Sequence, residues 1–286
     1  MSYNLNLKYF SFVDDILPIV NKCSGKIFVI KYGGSIMLND KLKFKIVQDI
    51  SFLHSLGVKI ILVHGGGPLI NNYLSKLNIQ PSFQDGIRVT DDTTIEIVEM
   101  VLSGKINKDL VSLLNQNNVL SVGLSGKDAN IVMSSPFSSD LSNLVGKIDS
   151  IDNKFLRLLL ANNYIPVISS ISPGYNNKTY NINADIFAGF IAKSLLADKL
   201  ILLTDIPGVM FNINDPSTII KRLTLSQIND LKESSVISGG MIPKVDCCVQ
   251  ALQAGVKSAH IIDGKLEHSL LYELLTDSGI GSRIIL

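Results

Sequence analysis

KIFVIKYGG, residues 26–34, sets four consecutive apolar residues before a lysine, a tyrosine and two glycines. Apolarity that runs without alternation belongs to a strand covered on both faces, and Ile, Phe and Val favour extended chain. The pattern predicts a buried strand over 26–31, with Lys31 at its end and Gly33-Gly34 where the chain leaves the sheet. Five more runs resemble it, at 59–64, 119–124, 165–171, 200–204 and 259–262, with helical stretches between them. Strands alternating with helices build right-handed βαβ units and a largely parallel sheet, whose ligands bind beyond the carboxyl ends of the strands. Glycines fall at those ends: Gly65-Gly66-Gly67 after the second run, Gly123 and Gly126 around the third, Gly208 soon after the fifth.

The expectation is therefore an α/β protein with two closely joined lobes. The polar stretch 134–152 interrupts the alternation and reads as a hairpin excursion. Residues 185–196 read as a helix, with a lobe boundary near Ser194 that has none of the composition of a flexible tether. At the start of the chain Val13, Ile16, Leu17 and Val20 recur at helical spacing, with Ser11 as N-cap and Pro18 as a kink. That helix packs on its own domain or docks onto another subunit; its sequence suits both.

With 286 residues, 46% of them hydrophobic, the chain has enough apolar material for a large core. Mean hydropathy is +0.31, yet no apolar run approaches the roughly 18 residues of a membrane span. A net charge of +1 gives no surplus for a nucleic-acid surface. Cys23, Cys247 and Cys248 form no CxxC pair and leave an odd thiol, which suits a reducing compartment. Asp14 and Asp15 fit neither a secretory signal nor a transit peptide. Abundant Ile, Asn, Lys and Ser point to an AT-rich coding genome, bacterial or plastid, and to work in the cytoplasm or in a plastid stroma.

Glycines after strands let backbone N–H groups approach an anion, and a following helix N-terminus adds partial positive charge. The familiar single loops are missing: no Gly-Lys precedes Ser or Thr, and no GxGxxG occurs, so phosphate binding has to be distributed. Lys31 is either a strand-end ammonium reaching water or a phosphate ligand beside Gly33-Gly34. Lys244, in SGGMIPKV, is a surface lysine or its partner, and two such lysines on one sheet edge would clamp a phosphoryl group in flight. Asp185, in YNINADIFAG, either caps a helix or orients both lysines. Arg88, in QDGIRVTD, offers a guanidinium fork to a carboxylate or forms a surface ion pair. His64 reads as structural, and Cys247-Cys248 as helix packing. Nothing resembles a nucleophile-base-acid triad. An acceptor that is already an ionised carboxylate needs no base.

Taken together, KYGGSIM (31–37), VHGGGP (63–68), DGIRVTD (85–91), GLSGKDANI (123–131), YNINADIFAG (180–189), LLTDIPGVM (202–210) and SGGMIPKV (238–245) resemble the amino acid kinase family, in family order across nearly the whole chain. Within it, the likeness is to the members acting on N-acetyl-L-glutamate. The resemblance implies an open αβα sandwich, with a segment 1–24 forming an oligomerisation helix, an amino-acid lobe over 25–193, and an ATP and effector lobe over 194–286. It implies transfer from ATP, accompanied by Mg²⁺ on phosphate oxygens and water, to the γ-carboxylate of N-acetyl-L-glutamate in arginine biosynthesis.

By motif, Lys31 and Lys244 would stabilise the transition state and Asp185 would organise them. Gly66, Gly67, Arg88 and Asn181 would hold the acceptor, and Gly33 and Gly34 the ATP phosphates. Asp205, Ile206, Pro207, Gly208, Val209, Met210, Val236, Ile237 and Ser238 would border the nucleotide. The N-terminal helix and EHSLLYELLTDSGIGSRI resemble the arginine-inhibited branch, which implies a homo-hexamer built as a trimer of dimers and an effector site at His268, Glu273, Gly279 and Gly281. In cyanobacterial and plastid relatives the signalling protein PII relieves that inhibition. No dedicated metal site, nucleic acid or membrane is implied.

Overall fold

The computed structural model describes residues 17–84 and 87–286. Of the expected N-terminal segment, residues 1–16 lie outside the described residues, and 17–23 are helical.

All six runs are strands. β1 (Ile27–Tyr32) and β2 (Lys59–His64) come first, followed by the short pair β3 (Phe83–Gln84) and β4 (Ile87–Arg88). β5 (Ser121–Ser125), the hairpin β6 (Val132–Pro136) and β7 (Gly146–Ile151), β8 (Ile165–Ser169) and the pair β9 (Ile171–Pro173) and β10 (Thr179–Asn181) complete the first half. β11 (Lys199–Thr204), β12 (Arg222–Thr224), β13 (Ser258–Asp263) and β14 (Ser282–Ile285) complete the second. The predicted excursion over 134–152 is the β6–β7 hairpin, with a register irregularity at Met133/Ser134.

The central sheet runs β12-β14-β13-β11-β1-β2-β8-β5. Six strands, from β13 to β5, are parallel to one another. β14 lies antiparallel to β13 and parallel to β12, so the last two strands of that edge run against the rest. Phe28 to Tyr32 of β1 and all of β8 are buried, as strands with helices on both faces must be. Because a βαβ crossover covers whichever face it crosses, this one central sheet carries both lobes.

The chain leaves β1 for β2 on one side and returns to β11 on the other. Connections that diverge from one strand open a crevice at its carboxyl end. Lys31 sits there. Two helices converge on the same place: Ala184–Leu195, the helix expected over 185–196, and Met241–Gln253. They pack closely because Gly189 lacks a side chain; a Cβ there would stand 2.5 Å from Cys247 Sγ. The Cys247 thiol donates to the Asp185 carbonyl oxygen at 2.9 Å.

Candidate active site

Asp185 occupies the first turn of its helix. Asn183 caps that turn, its Oδ1 accepting from the N–H groups of Asp185 (2.9 Å) and Ile186 (3.3 Å). Asp185 is 6% exposed, and its carboxylate lies between two ammonium groups, Lys31 at 2.9 Å from Oδ1 and Lys244 at 2.5 Å from Oδ2. The Lys244 contact is a hydrogen bond. The Lys31 contact is an ion pair without hydrogen-bond alignment, for Oδ1 has no aligned donor. Burial alone would raise the Asp185 carboxyl; the two lysines overcome it and hold it lowered at about 2. The assembly carries two positive charges and one negative, a net cation set at a glycine-lined crevice.

Gly33 lies against the Lys31 side chain so closely that a Cβ would meet Nζ at 2.7 Å. A side chain there would displace the ammonium. Gly34 adopts φ +80°, a conformation glycine supplies without strain.

Two cavities meet at this point. One, of about 440 Å³, is lined by Gly33, Gly66, Gly67, Arg88, Asn181 and Asp185, among others. The other, of about 650 Å³, is lined by Asp205, Ile206, Gly208, Val209, Met210, Val236 and Ser238 together with Gly239 and Gly240. Lys31, Gly34 and Lys244 border both. Of the residues expected around a nucleotide, Pro207 does not line the larger cavity and Ile237 is buried in the core. Gly33 faces the smaller cavity only.

In the smaller cavity Arg88 is buried, only 7% exposed. Its Nη2 donates to Asn71 Oδ1 at 2.5 Å and lies 3.4 Å from the Gly67 carbonyl oxygen, and its plane stacks 4.8 Å from the Phe83 ring centroid. Nη1 is buried without a partner. Among the described residues no carboxylate pairs with Arg88, so burial lowers its pKa uncompensated. A buried cation with a free donor suits an anionic ligand. Asn181 stands across the cavity, with its amide 3.4 Å from Thr90 Oγ1.

His64 is fully buried. Its Nε2 accepts from the Asn107 amide at 3.1 Å, and Nδ1–H donates to the Gly65 carbonyl at the same distance. Burial lowers its pKa to about 4, so it is a neutral strut under the Gly65–Gly67 loop. Cys247, raised to about 12 by burial, is no nucleophile. The site is thus built to neutralise and orient; among the described residues it contains no base aimed at the joint between the cavities.

Residues 26–263 match the amino acid kinase family. The chain belongs to that family. It is 55% identical to an acetylglutamate kinase of Gracilaria tenuistipitata var. liui, over 98% of this chain and 99% of that protein. It is 47% identical to an acetylglutamate kinase of Thermosynechococcus vestitus, over 96% and 92% respectively. Among solved structures, N-acetylglutamate synthase of Neisseria gonorrhoeae with coenzyme A and N-acetyl-glutamate superposes with a TM-score of 0.84 at 26% identity, over 97% of this chain and 63% of that one. A Giardia carbamate kinase shares the fold alone, with a TM-score of 0.66 at 18% identity. The expected open sandwich with a largely parallel sheet is the fold observed.

Away from the crevice, this amino acid kinase brings Glu273, Gly279 and Gly281 together. Glu273 is buried, its Oε2 accepting from the N–H groups of Ile280 and Gly281, both at 2.8 Å, and its Oε1 bonding His260 Nδ1 at 2.7 Å. Burial would raise the Glu273 carboxyl, but these partners lower it. Both its oxygens are thus engaged within the protein. His268 stands at the other end of the Ser269–Leu275 helix, 2.6 Å from Asp49 Oδ1. Next to Glu273's helix a cavity of about 380 Å³ opens between Pro18, Ile19, Lys22 and Cys23 and the segment Leu274 to Asp277.

Sequence reasoning passed over Asn71, Phe83 and Ser35. Asn71 and Phe83 come from two elements that precede the DGIRVTD segment, the Gly67–Lys76 helix and β3, and show no spacing signal. Asn183 was detectable, since an Asn two residues before the first helical acid is a capping signature.

Proposed function

We infer that this chain transfers the γ-phosphoryl group of ATP to the γ-carboxylate of N-acetyl-L-glutamate, giving N-acetyl-L-glutamyl 5-phosphate in arginine biosynthesis. The observation that carries it is the Lys31–Asp185–Lys244 cluster, set where the two cavities meet, with no base beside it among the described residues. A carboxylate acceptor is ionised at neutral pH and attacks without losing a proton. What such a transfer requires is positioning in line and neutralisation of charge on the phosphoryl oxygens. The amino-acid specificity draws on the acetylglutamate kinases to which the chain is 45% to 55% identical over nearly its full length.

In this reading Arg88 clamps the acceptor's α-carboxylate through its unpartnered Nη1. Asn181 and the N–H groups of Gly66 and Gly67 complete the grip. Lys31 and Lys244 contact the phosphoryl oxygens from opposite sides, and Asp185 holds them apart. The larger cavity takes the nucleotide. Its carboxylate Asp205 is already hydrogen-bonded to Ser35, and Asp185 is paired with its two lysines. No open carboxylate cage faces the joint among the described residues, which suits a magnesium ion that arrives on the ATP phosphates and keeps its waters. Bound there, the ion would add charge neutralisation on the phosphates.

Arginine inhibition belongs to the same proposal. The cavity between the 17–23 helix and Leu274 to Asp277, with Glu273 and Gly281 behind it, is where a guanidinium ligand would act, and assembly into a hexamer through the N-terminal helix would carry its effect. PII would be the physiological relief of that inhibition. The red-algal relatives favour a plastid stroma over a bacterial cytoplasm. No described helix is long and apolar enough to cross a membrane.

A coupled ADP-release assay with N-acetyl-L-glutamate, glutamate and aspartate, each with and without arginine, tests both parts. Turnover confined to N-acetyl-L-glutamate and depressed by arginine is expected. Turnover of glutamate or aspartate alone overturns the acceptor assignment, and insensitivity to arginine overturns the regulatory one.

A further inference from the structure

Asp205 follows β11 at the edge of the larger cavity, but its carboxylate is turned toward the protein. Oδ1 accepts from the Ser35 N–H at 3.0 Å and from the Ser35 hydroxyl at 2.8 Å; Oδ2 lies 3.1 Å from the same N–H. Ser35 opens the short turn Ser35–Leu38, and the residue before it, Gly34, has no side chain with which to cap that turn. Asp205 supplies the cap from another strand. Gly34 is fitted to this contact, since a Cβ on it would stand 2.7 Å from each carboxylate oxygen. The Lys265 ammonium in turn donates to the Asp205 carbonyl oxygen at 2.8 Å, which anchors the clasp at its far end.

β1 and β11 are parallel neighbours, so the clasp closes across the crevice where the chain diverges. One residue before Gly34 is Gly33, against which the Lys31 side chain lies. A shift in the Gly33–Ser35 turn would therefore move the surface that locates the Lys31 ammonium. The structure assigns Asp205 to positioning: it fixes the Gly33–Ser35 turn, and through it Lys31 and the backbone facing the phosphates, instead of serving as a ligand of the nucleoside. The assignment rests on the reading of the chain as an ATP-dependent kinase, and it revises the expectation that Asp205 borders the nucleotide as a contact.

The test separates the two ends of the nucleotide. Adenosine has base and ribose but no phosphate, so its affinity, measured by calorimetry, reports contacts to the nucleoside. Turnover with ATP and N-acetyl-L-glutamate reports the turn. For Asp205→Ala, kcat is expected to fall roughly tenfold to a hundredfold, with adenosine affinity within about twofold of the unaltered protein. Ser35→Ala combined with Asp205→Ala should cost no more than Asp205→Ala alone, because both act through one contact. Asp205→Asn, which keeps an oxygen for the Ser35 amide, should recover part of the lost kcat. Adenosine binding weakened by the factor lost from kcat/KM, with kcat retained, overturns the assignment, as do losses at Ser35 and Asp205 that multiply. Should Asp205→Ala fail to fold, Asp205→Asn and Ser35→Ala decide: a lowered kcat with unchanged adenosine affinity supports positioning, and weakened adenosine binding overturns it. An unaltered chain with no turnover of N-acetyl-L-glutamate would overturn the assigned reaction and leave the adenosine comparison standing.

Discussion

Asp185 carries a charge that the interior would neutralise without its two lysines. Its carboxyl is lowered by folding to about 2, so the ionised form is the one folding favours. That contribution, about 2 kcal/mol, is complete above roughly pH 4 and disappears as pH falls through about 2. Thermal melts of the protein and of Asp185→Asn between pH 2 and 6 should show a gap that narrows below pH 4; a constant gap would refute it. Lys31→Ala removes one of the opposing charges and should lower kcat on the order of a hundredfold to a thousandfold while circular dichroism stays unchanged. Near-full activity in that variant would sink the clamp. Arg88→Lys keeps the charge but loses the fork that reaches Asn71 and leaves Nη1 free. It should raise KM for the acceptor about tenfold or more with KM for ATP little changed, which initial-rate kinetics on both substrates would show.

At the scale of elements, the Gly65–Gly67 loop rests on a seven-residue π-helical stretch, Met100–Ile106. Leu102 and Ile106 press on Gly66, where a Cβ would stand 2.6 Å from Leu102 Cδ2 and 2.3 Å from Ile106 Cδ1. Gly66→Ala should therefore displace the loop and raise acceptor KM about tenfold or more, and Ile106→Val, which trims the nearer carbon, should restore part of it. No restoration would mean the glycine serves something other than this contact. The helical widening was not anticipated from the sequence, since its 100–106 stretch carries no motif that was singled out. The sheet strands, by contrast, were legible as unbroken apolar runs ended by glycines, a pattern that burial on both faces imposes. Lys31, Asp185 and Lys244 were legible as residues, and their contact was expected as one of two readings of Asp185 and from the family resemblance, not from local spacing. Three segments far apart in sequence meet only through the order of the sheet, and no local spacing encodes that. Glu273 was expected in an effector site through the family resemblance, and nothing in the sequence showed that the turn at Gly279 to Gly281 folds back onto its carboxylate.

At the scale of the whole molecule, the proposed function has two parts to connect, transfer at the crevice and control at the far edge. Glu273→Ala would leave the Ile280 and Gly281 amides and His260 without their buried acceptor, at a cost of about 3 kcal/mol. It should lower the melting temperature and blunt any response to arginine; an unaltered melt would show the turn to be held otherwise. Deleting residues 1–24 should reduce the oligomer in sedimentation and weaken arginine inhibition, and an unchanged sedimentation profile would count against the N-terminal helix as connector. The seam between the Ala184–Leu195 and Met241–Gln253 helices has a mechanical meaning. Gly189 and Cys247 leave no slack there, and the thiol is fastened to the very residue that carries the central carboxylate. Two close-packed helices move as one piece more readily than they slide, so Asp185 and Lys244 travel together through a turnover. The compliance needed to admit two substrates and release two products then falls to the glycine turns beyond β1 and β2. On this packing, a line of division between moving parts would pass between Lys31 and Asp185.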